Sequence, residues 1–149
     1  MNKVFLDTSA VLSGAIKDNV GIILSPITLS ELEHIKTSDN KTDHIKYLAR
    51  EAIRDILDKN ITFTQFNTKK VDKLLRKYNF LSNINDHRIL CEAALSADKN
   101  EPMPFYTNDA AQYTFAKRIK ELAPVYLANK ITDELHTFCG WSKYFPAID

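Results

Sequence analysis

Two apolar runs, each ending at an aspartate that opens a helical pattern, constrain the fold most. The run VFL at positions 4–6 stops at Asp7, and the run PFY at positions 104–106 is followed by the small polar residues Thr107 and Asn108 and then by Asp109. A buried strand that ends at a carboxylate holds that charge at the rim of a sheet, and in open α/β folds ligands bind at the carboxyl ends of the strands. The repeated pattern therefore directs the search to further acids between the two runs.

Strand-like and helix-like patterns alternate along the chain. The predicted strands are Lys3–Leu6, Gly21–Ser25, Ile61–Phe66, a run around Phe105 and Pro124–Leu127, and the predicted helices are Thr8–Lys17, Thr28–Lys36, one that begins at Thr42, Thr68–Tyr78, Asp86–Ala97 and Asp109–Lys120. Alternation of this kind predicts an α/β fold with a largely parallel sheet and right-handed crossovers.

The helix that begins at Thr42 has the clearest periodicity. Its apolar residues fall on one face at the helical period, and they are Ile45, Leu48, Ala49, Ala52, Ile53, Ile56 and Leu57. At 149 residues the chain is long enough to bury one core, so residues 1–149 are expected to form a single domain. Residues 128–149, with a helix at 132–138, are expected to form a C-terminal extension that packs across the domain edge.

Composition narrows the functional classes only slightly. Twenty Lys and Arg against nineteen Asp and Glu give a formal charge of +1, which neither announces nor excludes a nucleic-acid binder, because a local basic face can suffice. Cys91 and Cys139 form no zinc or disulfide pattern, and the usual phosphate-cradling glycine motifs are absent from the sequence. No apolar run approaches a membrane span or a signal-peptide core, so a cytoplasmic protein without a membrane partner is expected.

Four carboxylates occupy comparable places in this pattern. Asp7 and Asp109 end strands, Glu31 lies in the helix after the second strand, and Asp86 opens the run NDHRIL. Each has an ordinary structural explanation, because Asp is a common helix N-cap. Thr28 and Glu31 have the spacing of a capping box.

Taken together, the four acids favour a functional explanation. In a doubly wound sheet they converge on one crevice, where two carboxylates about 4 Å apart repel by about 4 kcal/mol at an effective dielectric constant of about 20. A divalent cation offsets that cost, and carboxylates with water suit Mg²⁺ or Mn²⁺ rather than zinc. Such an ion can generate hydroxide and stabilise the leaving oxygen of a phosphodiester.

At this point the sequence resembles a known family. FLDTS, LSELEHIK with its Glu31, NDHRIL and YTND resemble the motifs of the PIN-domain nucleases and occur in that family's order. The resemblance is greatest to the PIN domain of PhoH-like proteins, in which an E-L-[DE]-x-x-K run follows the second strand and a Gly-aromatic pair, here Gly140-Trp141, follows the last strand. It extends from about Lys3 to Tyr144.

The resemblance implies a PIN-like three-layer α/β/α fold with a mostly parallel central sheet. It also implies an Mg²⁺- or Mn²⁺-dependent endoribonuclease that cleaves single-stranded RNA, with Asp7, Glu31, Asp86 and Asp109 as catalytic metal ligands, directly or through water. Thr107 and Asn108 would orient Asp109 and a bound water, and Ser9 would donate a hydrogen bond to a ligand carboxylate. PIN domains commonly form homodimers, and a stand-alone domain of this size also resembles the toxin half of toxin–antitoxin pairs, which implies an antitoxin-like protein partner.

Two basic clusters are the candidates for substrate contact. The first contains Lys69, Lys70, Lys73, Arg76 and Lys77, and the second contains Lys117, Arg118 and Lys120. Phosphate contacts beside an acidic cleft would offset the repulsion between that cleft and the RNA backbone, although a solvated helix face explains such clusters equally simply. Arg88 either reaches the cleft or forms a surface ion pair. Glu33 cannot share a helix face with Glu31 and is expected to be solvated.

Three other functions remain open from the sequence. A haloacid-dehalogenase-like phosphatase would phosphorylate Asp7, but it needs an acid at the position of Ser9. A catalytically inactive PIN-like module for RNA binding or scaffolding would keep the fold without turnover. A flap-cleaving DNA nuclease uses a related sheet but usually carries more acids and a helical arch. Activity on single-stranded RNA against branched DNA separates the last of these from the ribonuclease.

Overall fold

The computed structural model describes residues 3–14, 21–59, 61–79 and 84–127. In chain order the elements are β1 (Lys3–Leu6), α1 (Thr8–Leu12), β2 (Gly21–Leu24), α2 (Pro26–Lys36), α3 (Asp43–Asp58), β3 (Thr62–Phe63), α4 (Thr68–Lys77), α5 (Asn85–Leu95), β4 (Met103–Thr107), α6 (Ala110–Ala116) and β5 (Leu122–Leu127). They build a three-layer α/β/α fold, which confirms the predicted fold class.

Within the described residues, the central sheet has five parallel strands in the order β3-β2-β1-β4-β5. β1 lies in the middle, with Phe5 opposite Ile23 of β2 on one side and Phe105 of β4 on the other. Because β1 and β4 are parallel neighbours, the residues that follow them, Asp7 and Asp109, emerge at the same edge of the sheet. The start of α2, which follows β2, lies at this edge too.

Hydrophobic side chains on the two faces of the sheet form two core clusters. Successive side chains of β1 point to opposite faces, so Val4 and Leu6 pack with α1, α2 and α3, whereas Phe5 packs with α5 and α6. All three residues are fully buried. Burial on both faces explains why β1 is a continuous apolar run instead of an alternating one.

The start of α2 differs from the prediction. Ser25 is the N-cap, its hydroxyl accepts a hydrogen bond from the Ile27 amide, and Pro26 occupies the first helical turn, where its missing N–H costs nothing. Thr28 therefore lies inside the helix and is buried. The predicted capping box of Thr28 and Glu31 is wrong, and the Glu31 side chain instead accepts a hydrogen bond from Thr8.

Other element boundaries in the structure also differ from the predicted ones. β3 has only two residues, Thr62–Phe63, instead of the predicted 61–66, and α6 ends at Ala116, with a turn before β5 where a longer helix was predicted. The apolar face of α3 is largely as predicted, except that Leu57 is 77% exposed. Leu57 lies one residue before the end of α3, where the helix extends past the core that it covers.

Some predictions concern residues outside the described ranges. They are the extension at 128–149 with its helix at 132–138, the Gly140-Trp141 pair, Cys139, and the end of the first predicted helix at residues 15–17. Among the described helices, none combines the length and the apolar character needed to cross a bilayer.

Candidate active site

Asp7 is a buried carboxylate at the carboxyl end of β1. It is the N-cap of α1, and its Oδ1 accepts hydrogen bonds from the Ala10 amide at 2.9 Å and the Ser9 hydroxyl at 2.8 Å. Its Oδ2 accepts the Thr107 hydroxyl at 2.5 Å. Burial raises the pKa of Asp7 to about 6, although these three donors oppose the shift; the negative charge of Asp86 adds to it.

A small hydroxyl network joins the ends of β1 and β4 around Asp7. Thr107 is fully buried, and its Oγ1 also accepts the Asp109 amide at 3.0 Å. Ser9 Oγ lies 3.1 Å from Thr107 Oγ1 and accepts the Asn108 amide at 2.9 Å. Thr107 thus orients the Asp7 carboxylate and the Asp109 backbone at once, whereas Asn108 takes part through its main chain.

Glu31 lies on α2, one turn beyond its N-terminus, and points towards α1. Its Oε1 accepts the Thr8 hydroxyl at 2.6 Å, and Thr8 Oγ1 is also 3.0 Å from the hydroxyl of buried Thr28. Partial burial raises the pKa of Glu31, and the charge of Asp86 raises it further, while hydrogen bonds from Thr8 and Asn85 lower it. The two residues that follow Asp7 therefore hold two different acids: Thr8 donates to Glu31, and Ser9 donates to Asp7.

Asp86 and Asp109 are the exposed members of the set. The predicted N-cap role of Asp86 is wrong, because Ile84 is the N-cap of α5, without a side-chain cap bond, and Asp86 lies in the first turn. The buried Gln112 side chain donates to the Asp86 carbonyl at 2.8 Å and so fixes the start of α5 against α6. Asp109 is the N-cap of α6 and accepts the amides of Ala111 and Gln112 through Oδ1.

Electrostatic interactions connect all four acids, with Asp86 as their common neighbour. The charge of Asp86 raises the pKa of both Asp7 and Glu31. The pKa of Asp86 is itself raised, first by partial desolvation and then by the charge of Asp109. Four separate helices thus bring mutually repelling carboxylates to one edge of the sheet.

The donor chemistry of this edge fits Mg²⁺ or Mn²⁺. All four groups are carboxylates, and no thiol or imidazole is needed to complete the set. Within the described residues, no three Asp, Glu, His or Cys side chains stand close enough together to hold a metal ion. Asp86 and Asp109 are exposed, however, so their side chains can change rotamer without repacking the core.

The predicted substrate residues divide into three groups. Lys69, Lys70 and Lys73 are exposed on α4. Arg88 forms an ion pair with Asp72 of α4 at 3.2 Å, which is the second of its two predicted alternatives.

Lys117 and Arg118 follow the end of α6, and their side chains lie over the rings of Tyr113 and Phe115 at 5.0 and 5.5 Å. They are about 12 Å along the chain direction from Asp109, since a helix rises 1.5 Å per residue. Tyr106 of β4 is fully buried in the core, so its ring is not available for stacking on a base.

Four polar residues near the site were not assigned a role from the sequence. Thr8 and Asn85 stand inside the motifs DTS and NDH, so their positions beside Asp7 and Asp86 were the available signal. Gln112 and Glu92 carried no signal, because their contacts join elements distant in sequence. Glu33, by contrast, is exposed and pairs with Lys36 at 2.9 Å, as expected of a solvated residue.

Comparisons with known proteins agree with this fold. The VapBC-5 toxin–antitoxin structure from Mycobacterium tuberculosis is similar with a TM-score of 0.58 and 19% identity, over 85% of this chain and 99% of that chain. A domain of a functionally unknown protein from Methanocaldococcus jannaschii is similar with a TM-score of 0.53 and 25% identity, over 85% and 91%. No curated protein sequence matches significantly. Residues 3–122 match the PIN domain family, so the chain belongs to that family, whose members are generally nucleases.

Proposed function

We propose that this PIN domain is a metal-dependent endoribonuclease that hydrolyses phosphodiester bonds of single-stranded RNA. The observation that carries the proposal is the electrostatic coupling of Asp7, Glu31, Asp86 and Asp109 at one edge of the sheet. Keeping repelling carboxylates together costs folding free energy, and a cation that binds them offsets that cost. The proposed cofactor is Mg²⁺ or Mn²⁺.

The four carboxylates would hold the metal, and the hydroxyls around them set their orientation. Asp7 is the most strongly fixed, because Ser9, Ala10 and Thr107 leave its carboxylate little rotational freedom. Thr8 fixes Glu31 in the same way. When bound, the ion would supply hydroxide at neutral pH and stabilise the leaving oxygen of the phosphodiester.

Protonation of Asp7 would compete with metal binding. With a pKa of about 6, Asp7 is ionised and able to bind a cation at pH 7.5, but it is largely protonated at pH 5. The Thr107 and Ser9 hydroxyls donate to its oxygens and favour the ionised form, which is the form a metal ion needs. These two residues therefore act on Asp7, and only through Asp7 on the substrate.

The direct test is cleavage of a labelled, unstructured RNA with Mn²⁺, with Mg²⁺ and with EDTA. We expect metal-dependent cleavage by the wild type, and at least a hundredfold loss in Asp109→Asn, since a catalytic metal ligand is removed. Asp39→Asn, an exposed acid in the loop after α2, is the matched control and should cleave like the wild type. A branched DNA substrate in the same assay tests the flap-nuclease alternative.

Two results would count against the proposal. Cleavage that persists in EDTA would remove the metal from the mechanism. Absence of cleavage by folded protein that still binds Mn²⁺ would favour the inactive RNA-binding or scaffolding module.

A second proposal concerns the biological setting: the chain is the toxin half of a toxin–antitoxin pair. Its support is the similar structure from the VapBC family of toxin–antitoxin systems, whose chain is covered over 99% of its length. Induced expression of the wild type should arrest growth, and Asp7→Asn should relieve the arrest. Size-exclusion chromatography with light scattering tests the expected homodimer, and co-purification with a natively encoded small protein tests for an antitoxin.

A further inference from the structure

One face of α4 carries a concentration of positive charge that takes no part in the contacts around the four acids. Its exposed cations are Lys69, Lys70, Lys73, Arg76 and Lys77. Four of them line an open groove of about 620 Å³ together with Leu74 and with Leu95 of α5. Among the described residues, no acid lines this groove, and Asp72, the acid of α4, pairs with Arg88.

These cations are not neutralised by the described part of the protein. Across residues 3–14, 21–59, 61–79 and 84–127, none of the four lining cations forms an ion pair; Lys77 lies over the Tyr78 ring at 5.5 Å. Like charges three and four residues apart on a helix repel one another and destabilise it slightly. A bound polyanion would convert that repulsion into binding free energy.

The groove combines positive charge with apolar surface, and a single-stranded RNA can contact both. Lys70, Lys73, Arg76 and Lys77 provide cations at helical spacing for successive phosphates. Leu74 and Leu95 provide an apolar floor that can contact sugars or unstacked bases. A duplex hides its bases, so an apolar floor favours a single strand.

Helix α5 extends from the catalytic edge, which is the edge of the sheet that carries the four acids, to Leu95 in the groove. Asp86 is in the first turn of α5 and Leu95 is its last residue, so they are about 14 Å apart along the helix axis. At about 3.4 Å per nucleotide in a stacked strand, this distance corresponds to roughly four nucleotides. A strand that ran along α5 from the groove to Asp86 would therefore need about four nucleotides.

We propose that the α4 groove binds the phosphate backbone of single-stranded RNA a few nucleotides from the cleaved bond, an inference that rests on the proposed nuclease function. Lys117 and Arg118 are not part of this surface. Their side chains lie over aromatic rings of α6, and they follow the C-terminal end of α6, whereas Asp109 is at its N-terminal end. The groove is instead formed between α4 and α5.

The test is RNA binding in EDTA, where cleavage cannot interfere. Fluorescence anisotropy gives Kd over a range of salt concentrations. The probe is a labelled, unstructured RNA of about 12 nucleotides, a length chosen to span the groove and the catalytic edge. The variant Lys70→Gln/Lys73→Gln/Arg76→Gln removes three groove cations. The matched control, Lys41→Gln/Arg50→Gln/Lys99→Gln, removes three exposed cations elsewhere and changes the net charge equally.

We expect the groove variant to bind at least tenfold more weakly than the wild type at low salt. Its plot of log K against log salt should be flatter by about 2, since each lost phosphate contact removes about 0.7 from the slope for a single strand. The control should keep nearly the wild-type slope. All six residues are exposed, so both variants should unfold at nearly the wild-type temperature.

Three results would overturn the inference. They are an equal loss of RNA affinity in both triple variants, an unchanged slope of log K against log salt in the groove variant, or tighter binding of an acidic peptide than of RNA to the wild-type groove. Failure of the nuclease proposal has a different signature. In that case RNA binding still depends on the groove cations, but wild type with Mn²⁺ leaves the RNA intact.

Discussion

Asp7 shows how a single residue can be both well hydrogen-bonded and costly to the fold. Three donors satisfy its carboxylate, yet burial outweighs them and its pKa rises to about 6. A carboxyl group with a raised pKa binds a proton more tightly in the folded than in the unfolded state. Folding stability therefore falls as pH rises between about 4 and 6, and the cost persists above that range.

This cost predicts the effect of Asp7→Asn on stability. The shift of the Asp7 pKa from 3.8 to about 6 corresponds to about 3 kcal/mol of destabilisation at pH 7.5, which the variant would relieve. The variant also loses the helix cap, which costs about 1 kcal/mol and reduces the gain. In metal-free buffer we expect the variant to be as stable as the wild type or up to about 2 kcal/mol more stable at pH 7.5, and the difference to shift towards the wild type by pH 4. Urea unfolding at both pH values measures it; a large destabilisation at pH 7.5 would make Asp7 chiefly structural.

Thr107 offers a complementary test of the hydroxyl network. Thr107→Val keeps the shape of the side chain but removes the donor to Asp7 and the acceptor for the Asp109 amide. We therefore expect the free energy of unfolding to fall by about 1–3 kcal/mol and the pKa of Asp7 to rise further. Thr107→Ser keeps both hydrogen bonds and should lose less. Urea unfolding in EDTA compares them, and a larger loss of stability in Thr107→Ser than in Thr107→Val would show that the methyl group, not the hydroxyl, matters.

At the scale of elements, buried Glu92 connects three parts of the fold. Its two oxygens accept the hydroxyls of Ser25 at 2.8 Å and Thr64 at 2.5 Å, so α5 is held to the N-terminus of α2 and to the segment after β3. Because α2 carries Glu31 and α5 carries Asp86, this contact also sets the relation between two of the four acids.

This arrangement predicts that two helix caps differ in importance. Ser25→Ala removes the N-cap of α2 and one donor to a buried charge, so we expect a loss of about 2–4 kcal/mol. Thr42→Ala removes the cap of α3, whose hydroxyl contacts the Ile45 amide and is exposed, and should cost about 1 kcal/mol. Chemical denaturation of both variants checks the ranking; equal losses would show that the Glu92 contact adds nothing.

Prediction of the elements succeeded where local periodicity was strong and failed where tertiary contacts decide. The amphipathic pattern identified α3, but it could not show that Leu57 extends past the core. The residues after β3 look like a strand, yet β3 ends at Phe63; the Thr64 amide still bonds the Leu24 carbonyl, and the Thr64 hydroxyl bonds Glu92. Ser25 rather than Thr28 caps α2 because Pro26 fits the first turn.

At the scale of the whole molecule, the parallel sheet places the acids in one region of a nearly neutral protein. A ligand that binds the folded but not the unfolded state stabilises it by about 2.7 kcal/mol at a hundred times its Kd. We therefore expect Mn²⁺ to raise the melting temperature of the wild type.

The variant Asp86→Asn should lose most of this increase, since Asp86 is the acid coupled to the other three. Asp39→Asn is the control and should respond like the wild type. Differential scanning fluorimetry with and without Mn²⁺ provides the measurement. An equal response of all three proteins would place the bound metal elsewhere.

The sequence by itself determined the alternation of strands and helices and the α/β class, and it supplied the four acids of the proposed site, because strand burial, helical periodicity and family motifs are local signals. Only the tertiary structure decided which hydroxyl holds which acid, that Arg88 pairs with Asp72, and that Glu92 joins α2 to α5. These contacts join residues as many as a hundred positions apart. Such pairings follow from strand order and helix packing, which no single stretch of the chain encodes.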